Sequence, residues 1–292
     1  MLWRYLICFA AVLGVGTLRF PYELCLSQDL KERRLIAPAF DAEARAGLSQ
    51  KAWVAGFGSL RPALASFYSL GAIRFHASSN WRMLEERIEQ VLLLDPYNPY
   101  YWNDGAWHLA YNAAADVLED ESLAPLERKG QFKDWILKGD ALYQRGIEVN
   151  PEDLKLRLER ARLWSSPLRI LDYPKVVEIL ESCLVDLELP DARVRRIKLD
   201  QFYSLLRISG REQDAYELGR SLFDDDPERA SSSLMNGLCA LQLHPGVEVI
   251  NPLSLNEIYG DRQFARKLLR HYLEDLDPDK PRYGMAELLE SL

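Results

Sequence analysis

Apolar residues recur along this chain every three or four positions. Leu84, Ile88, Val91 and Leu92 form one stripe, and Val176, Leu180, Cys183 and Leu184 form another. Ala215, Gly219 and Leu222 follow the spacing i, i+4, i+7, as do Ala265, Leu269 and Tyr272. Almost no segment alternates with period two, and β-branched residues are sparse. A three-to-four spacing puts apolar side chains on one helix face, so the pattern predicts an all-α chain. Helix pairs are expected near 58–78 with 80–94, 98–116 with 130–149, 152–165 with 173–187, 191–209 with 212–225, and 228–243 with 260–276. Residues 280–292 should close the chain as a capping helix. One hairpin cannot bury such faces alone, so neighbouring hairpins must stack.

The most specific stretch is GDALYQRGIEVNP, from Gly139 to Pro151. Gly139, Tyr143 and Gly146 set small, aromatic, small at i, i+4, i+7, and the run ends in Asn150-Pro151. Similar endings occur at IEQVLLLDPYN (Ile88 to Asn98) and YLEDLDPD (Tyr272 to Asp279). Candidate repeat ends at Pro96, Pro151, Pro190, Pro227 and Pro278 are spaced by 55, 39, 37 and 51 residues. The two longer spacings place surface insertions at 119–130 and at 244–252, both rich in charges and turn formers. Proline fits a first helical turn, so Asp95, Asn150, Asp226 and Asp277, each preceding a proline, are expected to cap the following helix. Asp224 to Asp226 would then lie where a helix dipole favours negative charge, with no need of a metal.

Trp102 and Ala106 in YNPYYWNDGAWHLAYN (Tyr97 to Asn112) add to this grammar, although Gly105 stands where a leucine is usual. With these residues the chain resembles the tetratricopeptide repeat family, whose unit is about 34 residues. The resemblance covers about 57–278. It implies an α-α superhelix, a solenoid of helical hairpins whose first helices line a concave groove that binds peptides or protein surfaces. It brings no catalytic residues. GFGSLRPALASFYSLGAIRF (Gly56 to Phe75) also looks like a group of membrane-associated bacterial repeat proteins of unassigned function.

The N-terminus adds a different signal. Leu6 to Leu18 is an uncharged apolar run between Arg4 and Arg19, flanked by Trp3, Tyr5 and Phe20. It falls short of the roughly 20 residues that comfortably span a bilayer, but the flanking aromatics suit an interface. An uncleaved anchor is the first reading, and a cleaved signal peptide and an ordinary buried helix stay open. An anchor would leave the repeats on the extracytoplasmic side, and a cleaved signal would export them. The chain is thus divided into an anchor or signal at 1–20, a linker and leading helix at 21–56, the repeat array at 57–278 and a cap at 279–292.

Charge and candidate chemistry narrow the function classes. A net charge of −8 argues against nucleic acid as a partner, and Arg193, Arg195 and Arg196 have acidic neighbours. Cys8, Cys25, Cys183 and Cys239 form no CxxC pair, and Cys183 and Cys239 fall at apolar helical positions, as buried thiols do. His76, His108, His244 and His271 show no metal-binding spacing, and no GxSxG, P-loop or GxGxxG occurs. No cofactor, metal or small-molecule substrate is expected.

Partner residues come from the aromatic cluster Tyr97, Tyr100, Tyr101, Trp102, Trp107 and Tyr111. The family's geometry implies Trp102 and Leu109 in the core, with Tyr100, Asn103, Trp107 and Tyr111 on or near the concave side. Aromatics with a polar end suit protein interfaces, and Asn103 could bond an extended peptide backbone. A bland alternative packs Trp107 and Tyr111 under the long insertion. The expected function is a non-enzymatic protein or peptide scaffold, membrane-tethered or exported. Its rivals are a structural subunit of an envelope assembly, using its convex face and insertions, and an all-helical enzyme without a linear motif.

Overall fold

A computed structural model describes residues 21–22, 25–26, 28–35, 60–275 and 284–292. The apolar run at 6–18, the leading segment at 36–59 and Asp277-Pro278 lie outside the described residues. Among the described residues every regular element is helical, so the chain is all-α. It divides into two compact units, Met1–Leu156 and Arg157–Leu292.

In the first unit, α1 (Arg61–Ala77) and α2 (Trp81–Leu94) form a hairpin. Asn80 caps α2, its side-chain oxygen accepting from the Met83 N–H at 3.2 Å. The predicted α2 stripe is buried, with Leu84, Ile88, Val91 and Leu92 all inside. By contrast α1 buries only Arg61 and Ala65 and leaves Phe67, Leu70 and Ile73 exposed. Next come α3 (Pro99–Trp107), a π-helical turn (His108–Ala113) and α4 (Ala114–Glu119), which form one continuous helical run. This run packs against α5 (Pro125–Val149). Two ion pairs join α2 to α5, Glu85 with Lys138 at 2.6 Å and Glu89 with Arg145 at 2.7 Å.

The small residues of α5 are contact points. A Cβ on Gly139 would lie 2.5 Å from the Ala110 Cβ and 2.8 Å from the Ala106 carbonyl oxygen. One on Gly146 would lie 2.8 Å from the Trp102 Cβ. Tyr143 fills the space between them and is 1% exposed. Small, aromatic, small is therefore the footprint of one helix laid closely on another.

Three local expectations need correction. The segment 119–130 is not a loop, because α5 starts at Pro125, with proline in the first turn where its missing N–H costs nothing. The turn is short and built on Asp120, which accepts from the Ser122 N–H at 2.9 Å and hydroxyl at 2.6 Å. The extra length between Pro96 and Pro151 lies in α5, which has 25 residues. Second, Asp95 and Asn150 end the preceding helices, bonding back to Val91 and Gly146, instead of capping the next. The caps are Asn98, which accepts from the Tyr100 N–H at 3.2 Å, and Asp153, which accepts from the Leu156 N–H at 2.8 Å. Asp226 does cap the short 3₁₀ turn Pro227–Arg229, at 3.3 Å. Third, Asp224 sits in the last turn of its helix, against the dipole, and is compensated by Arg220 at 2.8 Å.

In the second unit, α6 (Leu154–Ser165, entered from the first unit) meets α7 (Tyr173–Asp186). The contact runs through Arg157, which donates to Asp186 at 2.7 Å and Ser182 at 3.0 Å. Then follow α8 (Asp191–Leu205), α9 (Glu212–Asp225) and α10 (Ser232–Gln242). The unit ends with α11 (Leu255–Tyr259), α12 (Arg262–Asp275) and α13 (Met285–Glu290). From α7 to α10, helices adjacent in sequence pack side by side, and α10 packs on α12. Phe202, fully buried, is held between Gly219 of α9 and Gly237 of α10.

The loop after α10 is irregular, as expected, and pinned at both ends. The Gln242 side chain bonds the Leu253 N–H at 2.8 Å and its carbonyl at 3.2 Å. Gln213 accepts from the Glu248 N–H at 2.9 Å. Cys183 and Cys239 are buried thiols, and burial pushes each up to about 11. Of the predicted cap, the helical part is α13, and residues 279–283 lie outside the described residues.

Candidate peptide-binding surfaces

The four residues chosen from sequence do not form one patch. Tyr100 is 58% exposed at the start of α3, its ring edge-on to Tyr101 with centroids 5.6 Å apart. Trp107 is 44% exposed and stacks on Tyr111, centroids 6.3 Å apart and planes 23° apart. Asn103 faces α5, where its carbonyl oxygen accepts from the Tyr143 hydroxyl at 3.4 Å. Trp102 and Leu109 are in the core, as the resemblance implied.

Between α1 and α3, floored by α2, lies a slot of about 230 Å³. Its walls are Leu70 and Ile73 of α1 and Tyr100, Tyr101 and Asp104 of α3, and its floor is Leu84, Ile88 and Val91. Gly105 allows α3 this close, since a Cβ there would meet the Ile88 side chain at 2.6 Å. Tyr101 is fixed by a 3.1 Å hydrogen bond with Ser66.

His76 and His108 close one end of the slot. Their rings are edge to face, centroids 4.9 Å apart. The Asn112 side-chain nitrogen lies 3.2 Å from His76 Nε2 and 3.0 Å from His108 Nδ1, so one amide bridges both imidazoles. His108 Nε2 is 3.9 Å from the Asp104 carboxylate. Burial holds His108 below the usual imidazole range, Asp104 opposes that and His76 adds to it. The nearby Asp104 carboxylate also raises Tyr100. His108 and Asn112 both belong to the π turn, a local irregularity that is frequent at functional sites. Sequence missed this cluster because His76 sits on a different helix from the other two.

The second unit carries a larger, half-open groove of about 1150 Å³. Three helices line it, with Tyr203 and Arg207 around the end of α8, Ser233 and Asn236 from α10, and His271 and Tyr272 from α12. The Tyr203 hydroxyl is 2.8 Å from the Ser231 hydroxyl, and Arg207 lies over the Tyr173 ring at 5.5 Å. Asn236 accepts from the buried Tyr259 hydroxyl at 2.9 Å, which fixes its rotamer. Burial raises Tyr272, so it stays a neutral donor. None of these residues was a candidate for partner binding in the sequence, where Tyr272 belonged to an apolar stripe and His271 was noted only for lacking metal-binding spacing. The one available signal was polar Ser233 and Asn236 on a helix whose other face is Leu234, Leu238 and Leu241, which reads equally well as a solvated face.

Among the described residues, no group of three or more histidine, cysteine, aspartate or glutamate side chains could hold a metal ion, and no helix is long and apolar enough to cross a membrane. No protein-family model matches the chain, and no curated protein or solved structure does.

Proposed function

We propose that this chain is a non-enzymatic interaction scaffold that binds a polypeptide segment on a surface lined by the first helices of stacked hairpins. The tetratricopeptide-like superhelix and a membrane tether or export signal at residues 1–20 belong to the same proposal. The observation that carries it is the groove lined by α8 and α10, which lead their predicted hairpins, and by α12, the partner of α10. At about 1150 Å³ and half open, it exceeds the roughly 300–1,000 Å³ of small-molecule pockets. Its lining mixes tyrosines, an arginine, serines and an asparagine, the types that bond a peptide backbone and pack on its side chains. On the first unit, exposed Tyr100 and Trp107, with half-buried Tyr111 stacked on Trp107, are the aromatics offered to a partner. Asn103 supports Tyr143 there.

The test is paired affinity capture of the full chain from solubilised membranes. Ser233→Arg would fill the groove from an exposed position, and Arg207→Glu would reverse the charge of the arginine that lines it with Glu212 and Asp275. Either variant should lose the partner recovered with the wild type and keep its helical circular dichroism. Retention of that partner by both variants would overturn the groove assignment.

A second reading, a structural subunit of an envelope assembly, draws on a different observation. Leu126 and Ile250, within the two segments first read as insertions, are 84% and 74% exposed. Crosslinks concentrated at 119–130 and 244–256 would favour it.

A further inference from the structure

We propose that the slot between α1 and α3 is a binding site for a lysine or arginine side chain presented by a partner polypeptide. The site lies wholly within residues 1–156 and stands whether or not the other groove holds a peptide. At about 230 Å³ it is below the size of a small-molecule pocket and suits one long side chain. Leu70, Ile73, Ile88 and Val91 offer an apolar channel for an aliphatic stem. Asp104 supplies a carboxylate, and Tyr100 and Tyr101 supply ring faces and edges beside it. A cation on an apolar stem satisfies all three features, through a charge-assisted hydrogen bond, cation–π attraction and burial of methylenes.

Charge complementarity points the same way. Asp104 has His108 beside it, and burial keeps that imidazole neutral at pH 7, so the carboxylate is left without a compensating cation. The α2 floor contributes Leu84, Ile88 and Val91, none of them ionisable. Of the titratable residues of α1, Arg61, Tyr68, Arg74 and His76, only His76 lines the slot, and it shares the Asn112 amide with His108. Asp116 is engaged with Trp81 at 2.6 Å and Ser79 at 3.2 Å. Exposed Leu70 and Ile73 on one rim and Tyr100 on the other give flanking residues of a polypeptide a surface to rest on.

The histidines fix the sign of the pH dependence. Protonating His108 adds positive charge at the closed end, beside Asp104, so a cation is expelled on acidification. A carboxylate ligand would instead bind more tightly.

The experiment is a titration of the full chain, isotopically labelled at isoleucine methyls, with Nα-acetyl-lysine methylamide. Ile73 and Ile88 report from the slot, and Ile258, in the second unit, is the control. Saturable shifts at Ile73 and Ile88 alone are expected, weakening several-fold from about pH 7.5 to about pH 5.5. Asp104→Asn should weaken binding roughly tenfold. Tyr100→Ala, at an exposed position, should weaken it roughly threefold. Equal binding of the norleucine analogue would reduce the slot to an apolar cleft and overturn the proposal. So would tighter binding of the glutamate analogue than of the lysine probe at neutral pH, or tighter binding of the lysine probe on acidification. Cadaverine binding as tightly as the lysine probe would assign the slot to free amines and overturn the polypeptide partner. Absence of shifts with the lysine probe would remove the site.

Discussion

The two candidate surfaces rest on different kinds of contact. Behind the aromatic face of α3 the support is backbone and a rigid methyl, because a Cβ on Gly139 would meet the Ala110 Cβ at 2.5 Å, the Ala106 carbonyl oxygen at 2.8 Å and the Ala110 nitrogen at 3.0 Å. Beneath the second unit's groove the support is one ring, because Gly219 and Gly237 both close on Phe202. Each unit uses a helix-interior glycine despite its cost in helix propensity, about 1 kcal/mol relative to alanine. In one case the glycine lets two helices touch. In the other it makes room for the side chain that three helices share. The same residue type therefore carries different tolerances, set by whether the opposing atom can move.

The largest effect should come from removing the shared ring. Phe202→Ala deletes a fully buried side chain from between three helices and should cost about 3–5 kcal/mol. Urea unfolding of the full chain, followed by circular dichroism, measures this. A loss under about 1 kcal/mol would mean that α9 and α10 close over the gap. Gly139→Val comes next, at about 2–3 kcal/mol, since neither the Ala106 carbonyl nor the Ala110 amide can turn aside. Near-neutral behaviour would show that α5 slides on α3, and the rigid half of the comparison would fail.

Much of this was legible in sequence. Helix positions followed from the spacing of Leu84, Ile88 and Val91 and of Ala265 and Leu269, because a buried face leaves a periodic trace. Gly139, Tyr143 and Gly146 were legible for the same reason. The caps were misread because proline suits both a first helical turn and a tight turn, and only the next residues, Asn98 and Asp153, decide which. The π turn at His108–Ala113 left no mark, since it changes the hydrogen-bond ladder without changing residue types. The slot was illegible because His76 and Asp104 line one cavity only after α1 and α3 pack on α2. In the groove, Ser233 and Asn236 look like any solvated face until α8 and α12 are set beside α10.

The smallest predicted effects discriminate best between the two contacts. Gly219→Ala should be destabilising because its new methyl meets the Phe202 Cε2 at 2.5 Å, a ring atom. Phe202→Leu removes that atom, so the double variant should regain about 1 kcal/mol relative to the sum of the single changes. Gly146→Ala places its methyl 2.8 Å from the Trp102 Cβ and 2.9 Å from its Cγ, atoms that phenylalanine also has. Trp102→Phe should therefore rescue nothing, and its coupling to Gly146→Ala should stay within about 0.5 kcal/mol. Trp102→Phe alone should still cost about 1 kcal/mol, because it loses the 2.7 Å bond from the indole N–H to the Pro96 carbonyl. That carbonyl keeps its 3.3 Å bond from Asn150, which limits the loss. Equal couplings in the two cycles would mean that both glycines answer to side chains that can move, and that the first unit's contact is no stiffer than the second's.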